Sequence, residues 1–160
     1  MPKSRVVGHI IDKVYTDELD FQLGAEVEDE QGRVYVLIRY QNLGGGDGVA
    51  GLMVVACDTA YAHFDATCDS ENGDAVESIP FGQLQAAPAD GEMAFAQKRG
   101  YNRLDATTGN AVAHSDELAV SGAVRGILIT KASHQGSVGA ALDADTGTTL
   151  AAGEVYFNIA

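Results

Sequence analysis

Residues 80–105 read PFGQLQAAPADGEMAFAQKRGYNRLD, and this stretch sets the expectation for the fold. It holds three short apolar pieces, 81–86, 92–97 and 101–104, separated by Pro88-Ala89-Asp90-Gly91 and by Lys98-Arg99-Gly100. Pro fixes one φ and Gly supplies a positive one, so Pro followed by Asp-Gly is a turn signal with a mechanism. Apolar runs this short between turns suit strands and are too short for helices. The stretch is expected to form a three-strand meander at the centre of an all-β domain.

On the N-terminal side, residues 21–41 carry the clearest local pattern. Leu23, Ala25 and Val27 alternate with polar neighbours, and Asp29-Glu30-Gln31-Gly32 turns the chain. Val34, Val36 and Ile38 then share one face, with Tyr35 and Leu37 on the other. That is a hairpin whose second strand is apolar on both faces, hence central. Residues 42–51, with five glycines, read as a mobile loop. Residues 52–56 and 62–67 form the next strand pair, and a polar turn at 69–74 leads to an extended piece at 75–79. Beyond the meander, 107–122 reads as a loop with short extended pieces. Strands are expected at 124–129, 137–142 and 155–159, with a tight turn at 143–147. About ten short antiparallel strands at this spacing indicate a compact sandwich or barrel.

Residues 1–16 differ from the remainder. Lys3, Arg5 and Lys13 face only Asp12, whereas residues 17–30 hold seven acids and no base. The segment is read as an N-terminal arm or one short helix, ahead of a single β-rich domain over 17–160. Its apolar residues Val6, Val7, Ile10, Ile11 and Val14 are candidates for docking on a neighbour, and a frayed terminus is the plainer alternative.

The net charge is −13, from 10 basic and 23 acidic residues. Such a surface repels phosphate backbones and anionic lipid, which argues against nucleic-acid and membrane partners. The N-terminal MPKSRVVGHIIDK has no apolar h-region, and no window reaches the apolar length of a membrane span. Synthesis and residence in the cytosol are the expectation. Cys57 and Cys68 lie eleven apart on neighbouring expected strands, where a cross-strand disulfide is conceivable and buried thiols are the commoner outcome.

Candidate chemistry is sparse. Asp143, Asp145 and Gly147 start like a calcium loop but lack its later ligands and closing Glu. Asp69, Glu71 and Asp74 meet the same objection. His9, His63, His114 and His134 are not at ligand spacing, and Cys57 with His63 lacks an orienting third group. Gly44-Gly45-Gly46-Asp47-Gly48 lacks the Lys-Ser/Thr ending of a phosphate cradle. No catalytic, cofactor or metal site is expected. Lys98, Arg99 and Arg103 are basic spots on an acidic chain and are candidate contacts.

Five segments occur in an order that resembles the small capsid decoration (cement) proteins of tailed bacteriophages. They are FQLGAEVEDEQGRVYVLIRY, GVAGLMVVACD, FGQLQAAPADGEMAFAQKRGYNRLDATTGN, AVRGILI and SVGAALDAD. Within them, Gly82, Leu84 and Ala86 match a Gly-x-Leu-x-Ala segment, and Gly91, Ala94, Phe95, Gln97 and Gly100 match the strand that follows. Ala96 departs from the pattern, where a second aromatic is common. The resemblance runs from about residue 20 to the C-terminus. It implies a non-catalytic, β-rich virion protein made in the host cytoplasm, often a homotrimer. Such a protein has no cofactor, and its partners are the major capsid protein and itself. The rival expectations are another virion part, such as a head fibre or tail component, and a β-sandwich carbohydrate- or ligand-binding module. The absence of Trp counts against the module.

Overall fold

The computed structural model describes residues 4–5, 10–16, 22–57, 64–109 and 111–160. Among these residues the chain is all-β, with fourteen strands and no helix. In chain order they are β1 (Ser4–Arg5), β2 (Val14–Tyr15), β3 (Glu26–Glu28), β4 (Val34–Tyr40), β5 (Met53–Cys57), β6 (Asp65–Thr67) and β7 (Ala75–Leu84). Then come β8 (Met93–Tyr101), β9 (Ala106–Thr107), β10 (Glu117–Val120), β11 (Leu128–Thr130), β12 (Gly139–Ala141), β13 (Thr149–Leu150) and β14 (Val155–Asn158).

The organising strand is β8. Along one edge it pairs with β4 from Met93 to Arg99. Its other edge is shared in succession by β2 at Met93–Ala94, β7 at Ala96–Gln97 and β14 at Arg99–Tyr101. The ring β4-β6-β5-β7-β8 closes through the β4–β8 pairing, making a five-stranded barrel. A closed ring leaves none of its own strands as a free edge. The expected hairpin of β3 and β4 forms as read, with Val27 opposite Tyr35.

Three differences from the sequence reading have physical causes. The expected turn at Lys98-Arg99-Gly100 lies inside β8, so the meander is a hairpin of β7 and β8 rather than three strands. Gly100 has φ of 93°, and the β4 register shifts between Val34 and Tyr35, so the glycine serves an irregular ladder rather than a reversal. Pro80 sits within β7 opposite Val55, where the β5 ladder slips on both sides of that residue. A bulge is where a strand tolerates a residue with no N–H. Finally, not all pairing is antiparallel, since β1–β3 and β4–β6 are parallel.

Alternation along the barrel strands sorts the core into three clusters. Val36, Ile38, Tyr40, Val54, Leu84, Ala94 and Ala96 pack together inside the barrel. A five-stranded ring has a narrow lumen, which small residues on β8 help to fill. Tyr35, Leu37, Met93 and Phe95 point outward and are covered by Ile11 and Val27. Met53 and Val55 point outward from β5 into a cluster with Leu118, Val120, Leu128, Val138, Val155 and Phe157. The strands β14-β12-β10-β11 therefore form a flanking layer over the barrel wall, and β9 pairs with β13 beside it. The fold is a barrel carrying a sandwich-like layer.

The hairpin turn supplies an acid-sensitive link. Asp29 is 6% exposed, and its carboxylate accepts from Gln31 N, Arg33 N, Arg33 Nε (2.6 Å) and Tyr35 Oη (2.8 Å). Burial alone pushes this carboxyl up, but the bonds from Tyr35 and Arg33 outweigh it and hold the group below its ordinary value. A depressed carboxyl stabilises the fold above its unfolded pKa, and that share is lost as pH falls through the folded value. Urea melts are thus expected to be flat from neutrality to about pH 5 and to weaken below about pH 4. Asp29→Asn is expected to cost about 1.5–3 kcal/mol at pH 7 and to flatten the acid limb. An unchanged limb in the variant refutes this role.

Candidate contact surface

The expected docking residues fall into groups that the fold treats differently. Val6 and Val7 lie outside the described residues. Residues 10–16 form a turn and then β2, so the helical alternative does not hold there. Ile11 is 1% exposed within the outer cluster, and Tyr15 meets Phe95 edge-on at 6.2 Å. Tyr15 Oη donates to Ile10 O at 2.8 Å, and Val14 packs beside Ala94. Ile10 and Ile11 therefore cover this chain's own barrel wall, and Val14 packs against its inner cluster. Polar chemistry fixes the segment too. Arg103 Nη1 and Nη2 grip Asp12 Oδ1 and Oδ2 at 2.5 and 2.9 Å, a two-point clamp.

Of the three basic candidates, two are already engaged. Lys98 Nζ donates to Glu26 Oε1 at 2.7 Å, and Arg103 holds Asp12. Such half-exposed pairs contribute under about 1 kcal/mol each, so they leave little cation to offer a partner. Arg99 makes no ion pair among the described residues and lies on the outer face of β8 beside β14.

The glycine-rich loop is pinned, contrary to the expectation of mobility. Asn42 Oδ1 accepts from Gly44 N (2.7 Å) and Gly46 N (3.1 Å), while Asp69 Oδ2 accepts from Leu43 N (2.8 Å) and Gly45 N (3.0 Å). Successive N–H groups converging this way make the kind of nest that binds anions, and here the chain's own side-chain oxygens fill it. A Cβ at Gly45 would overlap the Asp69 carboxylate, so the close approach requires glycine. Asp69 is 1% exposed and its charge is met by Arg125 Nε at 2.6 Å. Arg125 Nη2 also donates to Tyr40 Oη, Gly46 O and Asp47 O. Tyr40 Oη in turn donates to Gly46 O at 2.9 Å, and burial, ahead of nearby charges, pushes that phenol up to about 12. This clasp ties β4, the loop, the turn after β6 and the segment before β11 into one unit. Residues 42–47 signal only glycine richness, and Arg125 sits 56 positions from Asp69, so no local pattern announces the pair.

The remaining candidates do not assemble into chemistry. Asp145 is buried and accepts from Thr108 Oγ1 and Gly147 N, while Asp143 Oδ1 caps Ala144 N. Among the described residues no group of three His, Cys, Asp or Glu is placed to hold a metal ion. His63, which the sequence reading discounts as a partner of Cys57, lies outside the described residues.

Cys57 and Cys68 are free thiols, both buried. Burial pushes each to about 12, with neighbouring carboxylates adding to the effect at Cys57. The thiolate is the nucleophile, so its native fraction is roughly a thousandfold below that of an ordinary thiol. Neither cysteine is expected to react with iodoacetamide at pH 8 in the native protein, and both are expected to react in urea. Rapid native labelling of either, read by mass spectrometry, contradicts this burial.

Comparison of the chain with family models, curated proteins and solved structures yields no match.

Proposed function

We propose that this chain is a structural virion protein that binds the outer surface of a tailed-phage capsid and joins neighbouring major capsid subunits as a homotrimer, with no catalytic role. The observation that carries the reading is the order of the five resembling segments and where they fall. FQLGAEVEDEQGRVYVLIRY supplies β3 and β4, GVAGLMVVACD supplies β5, and the long third segment supplies the end of β7, all of β8 and β9. AVRGILI supplies most of β11, and SVGAALDAD supplies all of β12.

A pressed β-body suits cementing for a physical reason. Adhesion by repeated copies sums modest contacts over a lattice, which rewards a rigid body that does not deform under load. The clasped loop and the self-covered barrel walls supply that rigidity. Net charge of −13 keeps densely arrayed copies from aggregating.

The test adds purified protein to phage shells stripped of their decoration. Binding is expected to saturate at a fixed number of copies per lattice site and to raise the temperature at which shells break. Non-saturating binding, or saturation with no gain in shell stability, refutes the cementing role.

A further inference from the structure

Polar side chains in and beside β7 and β8 are mostly spent on partners within the chain. Gln83 Nε2 donates to the carbonyls of Gly51, Leu104 and Asp105, and Gln97 bridges Tyr101 O and Arg103 N. Asn102 holds Ala151 O and Val155 N. Where β8 meets β14 the pattern reverses. The register sets Tyr101 opposite Tyr156 and Arg99 opposite Asn158, so these four side chains share one face, while Phe157 fills the core on the other. Tyr101 is 57% exposed and Tyr156 40%, with ring centroids 5.3 Å apart in edge-to-face contact. Among the described residues, the Arg99 guanidinium, both tyrosyl hydroxyls and the Asn158 carboxamide make no hydrogen bond or ion pair. Ala140, opposite Tyr156 on β12, extends the face.

Tyrosine and arginine anchor protein interfaces, because rigid aromatic area is buried at small entropic cost and a guanidinium grips a carboxylate at two points. This face is rich in donors, so its occupant presents acceptors. A second copy of the chain does so, with 23 acids against 10 bases. Moreover, Arg33, Lys98, Arg103, Arg125 and Lys131 are already held by acids of their own chain. We propose that the Arg99–Tyr101–Tyr156 face docks on the acidic surface of a second copy. The two surfaces in contact differ, so the interface is heterologous and makes a ring when its rotation closes. Each copy carries −13, so long-range repulsion opposes encounter; salt screens it, while the aromatic contact persists. The inference deepens the virion reading, on which the use of the assembly rests, by naming the face through which copies associate.

Sedimentation equilibrium of the full chain at about 50 mM and about 500 mM salt tests it. Association is expected, and it tightens at the higher salt. Arg99→Glu and the Tyr101→Ala/Tyr156→Ala double variant each weaken it by about tenfold or more. Arg99→Glu is expected to melt close to the parent, because the guanidinium of half-buried Arg99 makes no hydrogen bond or ion pair among the described residues. The double variant loses only the ring contact and is expected to melt slightly below the parent. A monomer at every concentration and salt overturns the proposal, as does unaltered association in both variants. Shell binding, run in parallel, separates the two ideas. Saturating attachment of a monomer defeats the self-docking face and the trimer but leaves the cementing role standing, whereas self-association through this face without shell binding defeats only the virion reading.

Discussion

Asp69→Ala is expected to lower the unfolding free energy by about 3–5 kcal/mol, the cost of stranding a buried charge whose partner has been removed. Deleting this carboxylate leaves Arg125 Nε and the amides of Leu43 and Gly45 without their acceptor at once. Arg125→Ala is expected to cost a similar amount, because Asp69 at 1% exposure then keeps its charge with only backbone amides to meet it. The double variant should be less damaged than the sum, since no charge remains stranded. Urea denaturation of the three proteins measures all of this. A second readout probes the nest directly. If the amides and guanidinium are preorganised for an anion, formate at high concentration should restore part of the stability of Asp69→Ala and none of that of Arg125→Ala. A loss below about 1 kcal/mol in both single variants would mean that water replaces each partner freely, and the clasp would then not hold the loop.

How much of this was legible in the sequence follows from the range over which each signal acts. The hairpin of β3 and β4 was readable because its pairing is local and its alternation is unbroken: Val36 and Ile38 face the lumen while Tyr35 and Leu37 face outward. The apolar character of β4 on both faces correctly marked it as central, and β5 and β6 pair as read. What failed did so where one residue serves two local purposes. Gly100 carries the positive φ of a turn residue, yet the chain continues through it because Arg99 and Tyr101 are claimed by β14, far along the sequence. Closure of the barrel depends on the parallel β4–β6 ladder and on the β4–β8 ladder, whose partners are about sixty positions apart at Leu37 and Phe95. Periodicity reports which face a residue presents and is silent on which strand arrives to cover it.

The candidate contacts divide for the same reason. Basic residues on an acidic chain were singled out by composition, but composition does not reveal which are neutralised internally. Lys98 reaches Glu26 across 72 positions and Arg103 reaches Asp12 across 91, leaving Arg99 as the one of the three without an ion pair among the described residues. The apolar residues Ile10, Ile11 and Val14 are, in the sequence reading, candidates for docking on a neighbour, and the fold packs them on this chain itself. Ile10 and Ile11 cover the outer wall of their own barrel, where Phe95 and Leu37 would otherwise face water, and Val14 packs against the inner cluster of Val36, Ile38 and Ala94. Every buried apolar face in a small barrel needs such a cover, and the nearest available segment supplies it.

Glycine offers the sharpest separation of backbone effects, and Gly139→Ala is expected to cost about 2–4 kcal/mol, combining strain with overlap. Gly139 sits on β12 with φ of 147°, and a Cβ there would fall on the carbonyl oxygen of Tyr156 in β14. A carbonyl in a ladder cannot swing aside as a flexible side chain can, so the two strands must part. That parting loosens Val138 and Phe157, which belong to the cluster between the flanking layer and the barrel. Two further substitutions act as controls. Gly153 has φ of 87° but open space around its missing Cβ, so Gly153→Ala should cost only the left-handed strain, about 1–2 kcal/mol. Gly147 has neither a positive φ nor a neighbour within 4 Å, so Gly147→Ala should be close to neutral or slightly stabilising through the unfolded chain. Thermal or urea melts should therefore rank the variants Gly139, Gly153 and Gly147 from most to least damaging. Near-equal losses at Gly139 and Gly153 would show that β12 yields without cost and that the approach to β14 is not what requires glycine there.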